Sequence, residues 1–408
     1  MQIKSILKVT AALLLLGAGI ASATCNPDPA YVRQNRRVIT VLPTNSDDTA
    51  NLQCAFDLGS NRPGAVLQLL KGTYITGRIV VNGFMGTVRG KGMNSTIIRN
   101  PNYPIYVTPD DFYQVPPESD AFAPPYLFTF LGGDYTVTDL TVSIVGAEPT
   151  TDWSIFGIRE WLGHGIKSFG GPFVILERPT DRGYRKANAA FYRVKLTGEL
   201  SNDPLYGYNV YNGIFYEGFA GPDLQPLKGR FSVRNSEFDT VASPAPVFNL
   251  RNSWVSISGN TIRNVATAAG VGGEVIDLKN TVYEFANNQV TGSTGVLMYD
   301  NCLGSESNCG MQGSEFIVWN NRFRSTDGVL IDASFSEGTS ALVLGNNFNE
   351  VSDLAVRLGP ETSRCLVILS APATVEDLGT GNVVIGPKQA DGKRGAEIRS
   401  LLRMGRYH

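Results

Sequence analysis

Five times in its second half the chain repeats one phrase: a strand-length run closing on asparagine, a tight turn, and a second strand. The copies are FSVRNSEF (231–238), VSISGNTI (255–262), YEFANNQV (283–290), FIVWNNRF (316–323) and ALVLGNNF (341–348). Each is answered downstream by another apolar run, in order APVFNLR, EVIDLKN, GVLMYDN, GVLIDAS and DLAVRLG. A period of roughly 25 to 35 residues, with two-residue alternation and no amphipathic helices between strands, describes a solenoid of β-strands. A chain of this length would ordinarily divide at about 150 residues per domain. A solenoid escapes that division because each coil extends the core. No linker, charge block or composition shift interrupts the body, so a single domain is expected over 24–390.

The first residues, MQIKSILKVTAALLLLGAGIASA, join two lysines to a short apolar run and small residues at Ala21 and Ala23. That is the pattern of a secretory signal cut after Ala23, which places the mature chain outside the cell or in the periplasm. Thr24 departs from the small residue that precedes a lipid-modified cysteine, which disfavours an anchor on Cys25. Five cysteines in an exported chain allow two disulfides. Cys302 with Cys309 would clasp one loop and Cys25 with Cys54 would pin the amino terminus, leaving Cys365 as a buried thiol. The formal charge of −2, with both signs interspersed, carries no nucleic-acid footprint. His164 and His408 are the only histidines, too few for a zinc site.

SDDTANLQCAFDL (46–58) reads as a capped amphipathic helix. It is followed by AVLQLLKGTYITGRIVVNG and GTVRGKGMNSTII, strands punctuated by glycine. Together with the asparagine turns, this run resembles the pectate lyase superfamily over most of 38–386. The resemblance implies an all-β, right-handed parallel β-helix whose N-terminal helix plugs the first coil. The asparagines are structural in this reading, because the turn needs a left-handed residue and stacked amides hydrogen-bond from coil to coil. Apolar residues at helical spacing in AEIRSLLRM (396–404) make 391–408 a cap over the last rung, whose open edge would otherwise invite pairing with another chain.

The superfamily's enzymes usually carry their cleft on the first of three sheets. When the runs ending in asparagine or its equivalent are aligned, alternation turns Phe248, Leu250, Ile276, Leu278, Leu297, Tyr299, Val329, Ile331, Val356 and Leu358 inward. One outward column then reads Arg159, Phe215, Asn249, Asp277, Met298, Leu330 and Arg357. Its neighbour reads Trp161, Glu217, Arg251, Lys279, Asp300 and Asp332. With rungs about 4.8 Å apart, Asp300 and Asp332 would repel by roughly 3 kcal/mol at an effective dielectric of 20. A bound cation, a shared proton or salt screening would relieve that repulsion.

Two chemistries follow. If Asp300 and Asp332 hold Ca²⁺, the resemblance implies a polysaccharide lyase. The metal would neutralise a uronate carboxylate, and Lys279 or Arg251 would remove the proton α to it. If one carboxyl keeps its proton, Asp277, Asp300 and Asp332 supply the acid and base of a glycoside hydrolase. Arg251, Glu217, Trp161 and Arg159 would line the substrate groove, and a uronate epimerase would share the lyase's proton abstraction. A solvated charge ladder on a monomeric adhesion protein is the non-catalytic alternative. Aromatic and basic loops, 101–125, 162–188 and 199–211, would rise beside the groove. Within one of them GHGIK (163–167) is similar to polygalacturonase Gly-His-Gly and Arg-Ile-Lys elements. The Asn-Thr-Asp and Asp-Asp elements of that family are missing, so His164 is read as a loop residue.

Overall fold

A computed structural model describes residues 25, 28–101, 126–146, 171–176, 178–180, 183–185, 187–200, 208–210, 212–217, 229–248, 250–273, 278–300, 311–335 and 338–387. The chain winds as a parallel β-helix. Strands of one coil pair in parallel with those of the next, as Gly229–Arg234, Ser253–Ser258, Val282–Ala286, Glu315–Trp319 and Ser340–Leu344 do in turn. These strands form the second sheet. Past the asparagine turn, Glu237–Asp239 and the opening halves of Thr261–Gly273, Gln289–Asp300 and Arg322–Asp332 build the third. The same long strands then bend and continue into the first sheet without a loop.

The turn between the second and third sheets shows why asparagine recurs. Its leading residue is left-handed: Asn235 (φ 50°), Gly259 (φ 68°), Asn287 (φ 58°), Asn320 (φ 54°) and Gly345 (φ 62°). Asparagine and glycine are the residues that tolerate this conformation best. The residue after it is buried and forms a ladder. Asn260 Nδ2 donates to Asn288 Oδ1 (3.0 Å), Asn288 Nδ2 to Asn321 Oδ1 (3.1 Å) and Asn321 Nδ2 to Asn346 Oδ1 (3.0 Å). Each Oδ1 also accepts the backbone N–H of the preceding rung. Inside the coil, Phe285, Phe323 and Phe348 follow with centroids 6.4 and 5.4 Å apart.

Helix α1 (Thr49–Ser60) plugs the first coil where the sequence places it. Phe56 meets Phe84, Phe128 and Phe130 at 5.7, 6.1 and 5.8 Å. The N-cap residue Asp48 makes no side-chain cap bond. Instead Asp47 Oδ1 accepts Thr49 N–H (2.8 Å), while Asp48 is buried and accepts Thr44 N–H (2.9 Å). Cys25 and Cys54 form the expected disulfide, and Cys365 is free and buried. The thiol of Cys25 is therefore committed to sulfur. The Cys302–Cys309 pair, the signal segment 1–23 and the capping segment 391–408 lie outside the described residues. Among the described residues no helix is long and apolar enough to cross a membrane.

Candidate functional site

The first sheet corrects the expected columns. Its inward line is Val247, Val271, Met298, Ile331 and Leu358. All five are buried. Met298 therefore points in and Leu297 and Tyr299 point out, the reverse of the expected phase. The run GVLM is apolar throughout, so alternation alone carries no phase there. Val329, Ile331, Val356 and Leu358 point inward as expected. The outward neighbours are Glu217, Phe248, Gly272, Tyr299 and Asp332, taken rung by rung. Phe248 thus faces away from the core, against expectation. Its ring meets Phe215 at 5.7 Å and Tyr299 at 5.5 Å.

A second correction concerns the charged stripe. Arg251 and Lys279 do occupy adjacent rungs, joined by a parallel bridge. Lys279 then pairs with Gln312, not with Asp300, and Glu217 pairs with Phe248, not with Arg251. The reason is a loop of variable length between the first-sheet strand and the next left-handed turn residue. Phe248 reaches Asn252 at once, Gly272 reaches Asn280 after a longer excursion, and Tyr299 reaches Gly313 after a longer one still. Aligning runs by their terminal asparagine therefore mixed two lines of residues. Leu250 and Leu278 are buried together, with Met311 paired next to Leu278, in a separate short strip. They do not stack with Tyr299, Ile331 and Leu358.

Asp300 and Asp332 are not opposed on neighbouring rungs either, because Asp332 pairs with Tyr299. Yet both line one open pocket of about 210 Å³, with Ala333, Ser334, Gly359, Pro360 and Glu361. Asp300 ends its strand and its Oδ2 accepts Ser334 N–H at 2.7 Å. Ser334 Oγ donates to Glu361 Oε2. Asp332 is exposed and has no hydrogen-bond partner among the described residues. Gly359 is fitted to it, since a Cβ there would stand 2.7 Å from Asp332 Oδ1. Glu361 was not foreseen; it follows Leu358 on the rung after Asp332, and only the true register brings it to the pocket.

Arg251 is half-buried with its Nε unbonded, and Lys279 is exposed. Neither joins an ion pair among the described residues. The backbone of Glu217 is placed, but its side chain is outside the description, as are Asp277, Asn249, Ile276, Trp161, Arg159 and GHGIK. So are most of loops 101–125 and 199–211. The expected loop 162–188 is corrected in its second half: Gly171–Leu176 is a first-sheet strand that sets Leu176, not Trp161, beside Glu217, and Arg178–Thr180 pairs antiparallel with Gly183–Arg185. Among the described residues no three His, Cys, Asp or Glu side chains converge on a metal position. Asp300 and Asp332 alone would supply only part of the 6–8 oxygens that Ca²⁺ takes.

No protein-family model and no curated protein matches the chain. Solved structures to which it is similar include a polygalacturonase from Erwinia carotovora ssp. carotovora, at 12% identity and TM-score 0.46, over 86% of this chain and 94% of that one. A family 28 exopolygalacturonase from Yersinia enterocolitica gives 13% identity and TM-score 0.43, over 84% of this chain and 62% of the other, so this chain spans under two thirds of its length. The mannuronan C-5 epimerase A-module from Azotobacter vinelandii gives 12% and 0.31, over 84% and 95%. The chain's own strand register, with a helix plugging the first coil, makes it a parallel β-helix.

Proposed function

We propose that this is an exported, monomeric, carbohydrate-active enzyme that hydrolyses an acidic polysaccharide in the pocket of Asp300 and Asp332. The observation that supports it is that two carboxylates from successive rungs line the same open pocket while Lys279 lies on another line of residues. The N–H of Ser334 holds Asp300 Oδ2 at 2.7 Å and so fixes that carboxylate at the pocket wall. That suits Asp300 to the general base, which takes a proton from water as the water attacks the anomeric carbon. Asp332 is exposed in the same pocket, with no hydrogen-bond partner among the described residues. Asp332 is then the general acid that protonates the departing glycosidic oxygen. Glu361, coupled to Asp300 through Ser334, positions that loop. The Cys25–Cys54 bridge fits an oxidising compartment after export.

Elimination is the second reading, favoured by one observation: Arg251 and Lys279 are adjacent cations without ion-pair partners among the described residues and could neutralise a uronate carboxylate. Purified protein incubated with polygalacturonate separates the readings. Hydrolysis releases reducing ends with no rise in ultraviolet absorbance, and chelator leaves the rate unchanged. Absorbance by unsaturated products, suppressed by chelator, would establish the calcium-dependent lyase instead. Retained polymer with neither product would make the protein an adhesin.

A further inference from the structure

The three sheets treat their outward charges differently. On the third sheet the cations are matched: Lys195 with Glu237 (3.5 Å), Arg263 with Asp239 (3.4 Å), and Arg322 and Arg324 with Glu350. On the second sheet Arg230 and Arg234, both exposed, join no ion pair among the described residues. They flank Trp254, whose side chain leaves the core between the buried Val255 and the turn before it. Arg230 pairs directly with Trp254, and the Arg234 guanidinium lies 5.8 Å from the centre of its indole.

Between these residues runs a line of small side chains, Ala190, Ser232 and Ser256 in register. Ala190 and Ser232 are half-buried and Ser256 is buried, with Trp254 (36% exposed) on one side of the line and Tyr192 (37% exposed) on the other. The carboxylates of this face are engaged or distant. Glu284 accepts from Ser256 Oγ (2.9 Å) and Trp319 Nε1 (3.0 Å) and closes one end. Asp134 accepts from Asn188 (3.2 Å), and Glu315 stands two rungs beyond Trp254.

We propose that this face is a second glycan-docking site, separate from the Asp300/Asp332 pocket, that holds a polyuronate chain. An aromatic face stacks on the apolar face of a pyranose ring, and guanidinium pairs with carboxylate. An exposed indole beside two guanidinia of the neighbouring strand, which join no ion pair among the described residues, therefore matches a polymer that presents one carboxylate per sugar. The choice of an acidic glycan rests on the function proposed above; the placement of the site does not. Its role is to hold polymer on the outside of the coil while the pocket works on the first sheet.

Affinity electrophoresis through polygalacturonate tests this without relying on turnover. Trp254→Ala and the double variant R230A/R234A should each weaken retardation at least about tenfold, with melting temperatures unchanged because all three side chains are exposed. Trp254→Tyr should retain most of it. Added salt should weaken wild-type binding more than that of R230A/R234A, whose charges are gone. Asp300→Asn/Asp332→Asn, which disables the pocket, should be retarded like wild type. The proposal is overturned if Trp254→Ala migrates as wild type, or if a neutral galactan retards the protein equally. It is also overturned if the pocket variant alone abolishes binding; that last result leaves the pocket's own function standing.

Discussion

Replacing Asn288 by alanine would remove one rung of the buried amide ladder, and the cost can be worked out from its partners. Asn288 Oδ1 accepts the backbone N–H of Asn260 (2.9 Å) and its Nδ2 (3.0 Å), while Asn288 Nδ2 donates to Ile257 O (2.9 Å). Alanine leaves the Asn260 N–H without its partner, while Asn260 Nδ2 keeps only Val233 O (3.1 Å) and Ile257 O and Asn321 Oδ1 each lose a donor. At about 1–3 kcal/mol for the orphaned N–H and about 0.5–1.5 kcal/mol for each further bond lost, the loss is roughly 3–5 kcal/mol. Asn320→Gly is the matched control. Asn320 is exposed at φ 54°, and its amide donates to Asn287 Oδ1 at 2.6 Å. Glycine keeps that conformation, so the change should cost under about 1 kcal/mol. Denaturant unfolding followed by circular dichroism gives the global difference. Amide exchange at Asn260 gives the local one, which matters because long repeat arrays can unfold in parts. Equal midpoints for the two variants, with Asn260 exchange unchanged in Asn288→Ala, would refute the ladder as a source of stability.

In the pocket, Asp300→Asn and Asp332→Asn should each lower turnover of polyuronate at least about a hundredfold, whereas Lys279→Ala should leave hydrolysis intact; a dead Lys279→Ala that still folds returns the case to elimination. Leu278→Ala, at a fully buried position, should cost about 2–5 kcal/mol in a melt or denaturant titration. Reducing Cys25–Cys54, whose partners are 29 residues apart, should cost about 3–4 kcal/mol by loop-closure entropy, read as a lower denaturant midpoint. Burial pushes the Cys365 thiol up to about 12, so it should resist alkylation until the chain unfolds. Because its folded value lies above the unfolded one, the associated stability is full below the ordinary thiol range and falls as pH rises from there toward 12. Leu378 and Val383 are about half exposed at the last coil. If 396–404 covers that edge, Leu401→Asp with Leu402→Asp should make the protein self-associate in light scattering.

The parts of the fold that were legible in the sequence are those where one residue type answers one backbone need. Left-handed turn positions call for asparagine or glycine, so Asn287 and Asn320 announced the second-to-third-sheet turn and fixed both flanking strands. The first sheet lacks such a marker at its exit. Its strands end at Phe248, Gly273, Asp300 and Asp332, so no one residue type marks the exit. The asparagines chosen as markers belonged to a later turn or, at Asn301, fell outside the described residues. Asp300 and Asp332 were picked as neighbours by that faulty alignment and share a pocket for another reason, the Ser334 N–H that draws Asp300 to the edge of the next rung. Glu361 carried no signal at all until the register was known.

The unequal edges of the coil bear on how such a protein can change over generations. At the asparagine edge the rungs from Asn260 to Asn346 are stitched one to the next by amides, beside left-handed residues, so an inserted residue there would break bonds on the rungs above and below it. At the opposite edge the excursions after Phe248, Gly272 and Tyr299 differ in length while the strands on either side keep their pairing. New sequence can enter there as a private matter of one coil. The margin of the first sheet can therefore change coil by coil, with the asparagine seam holding the scaffold constant behind it.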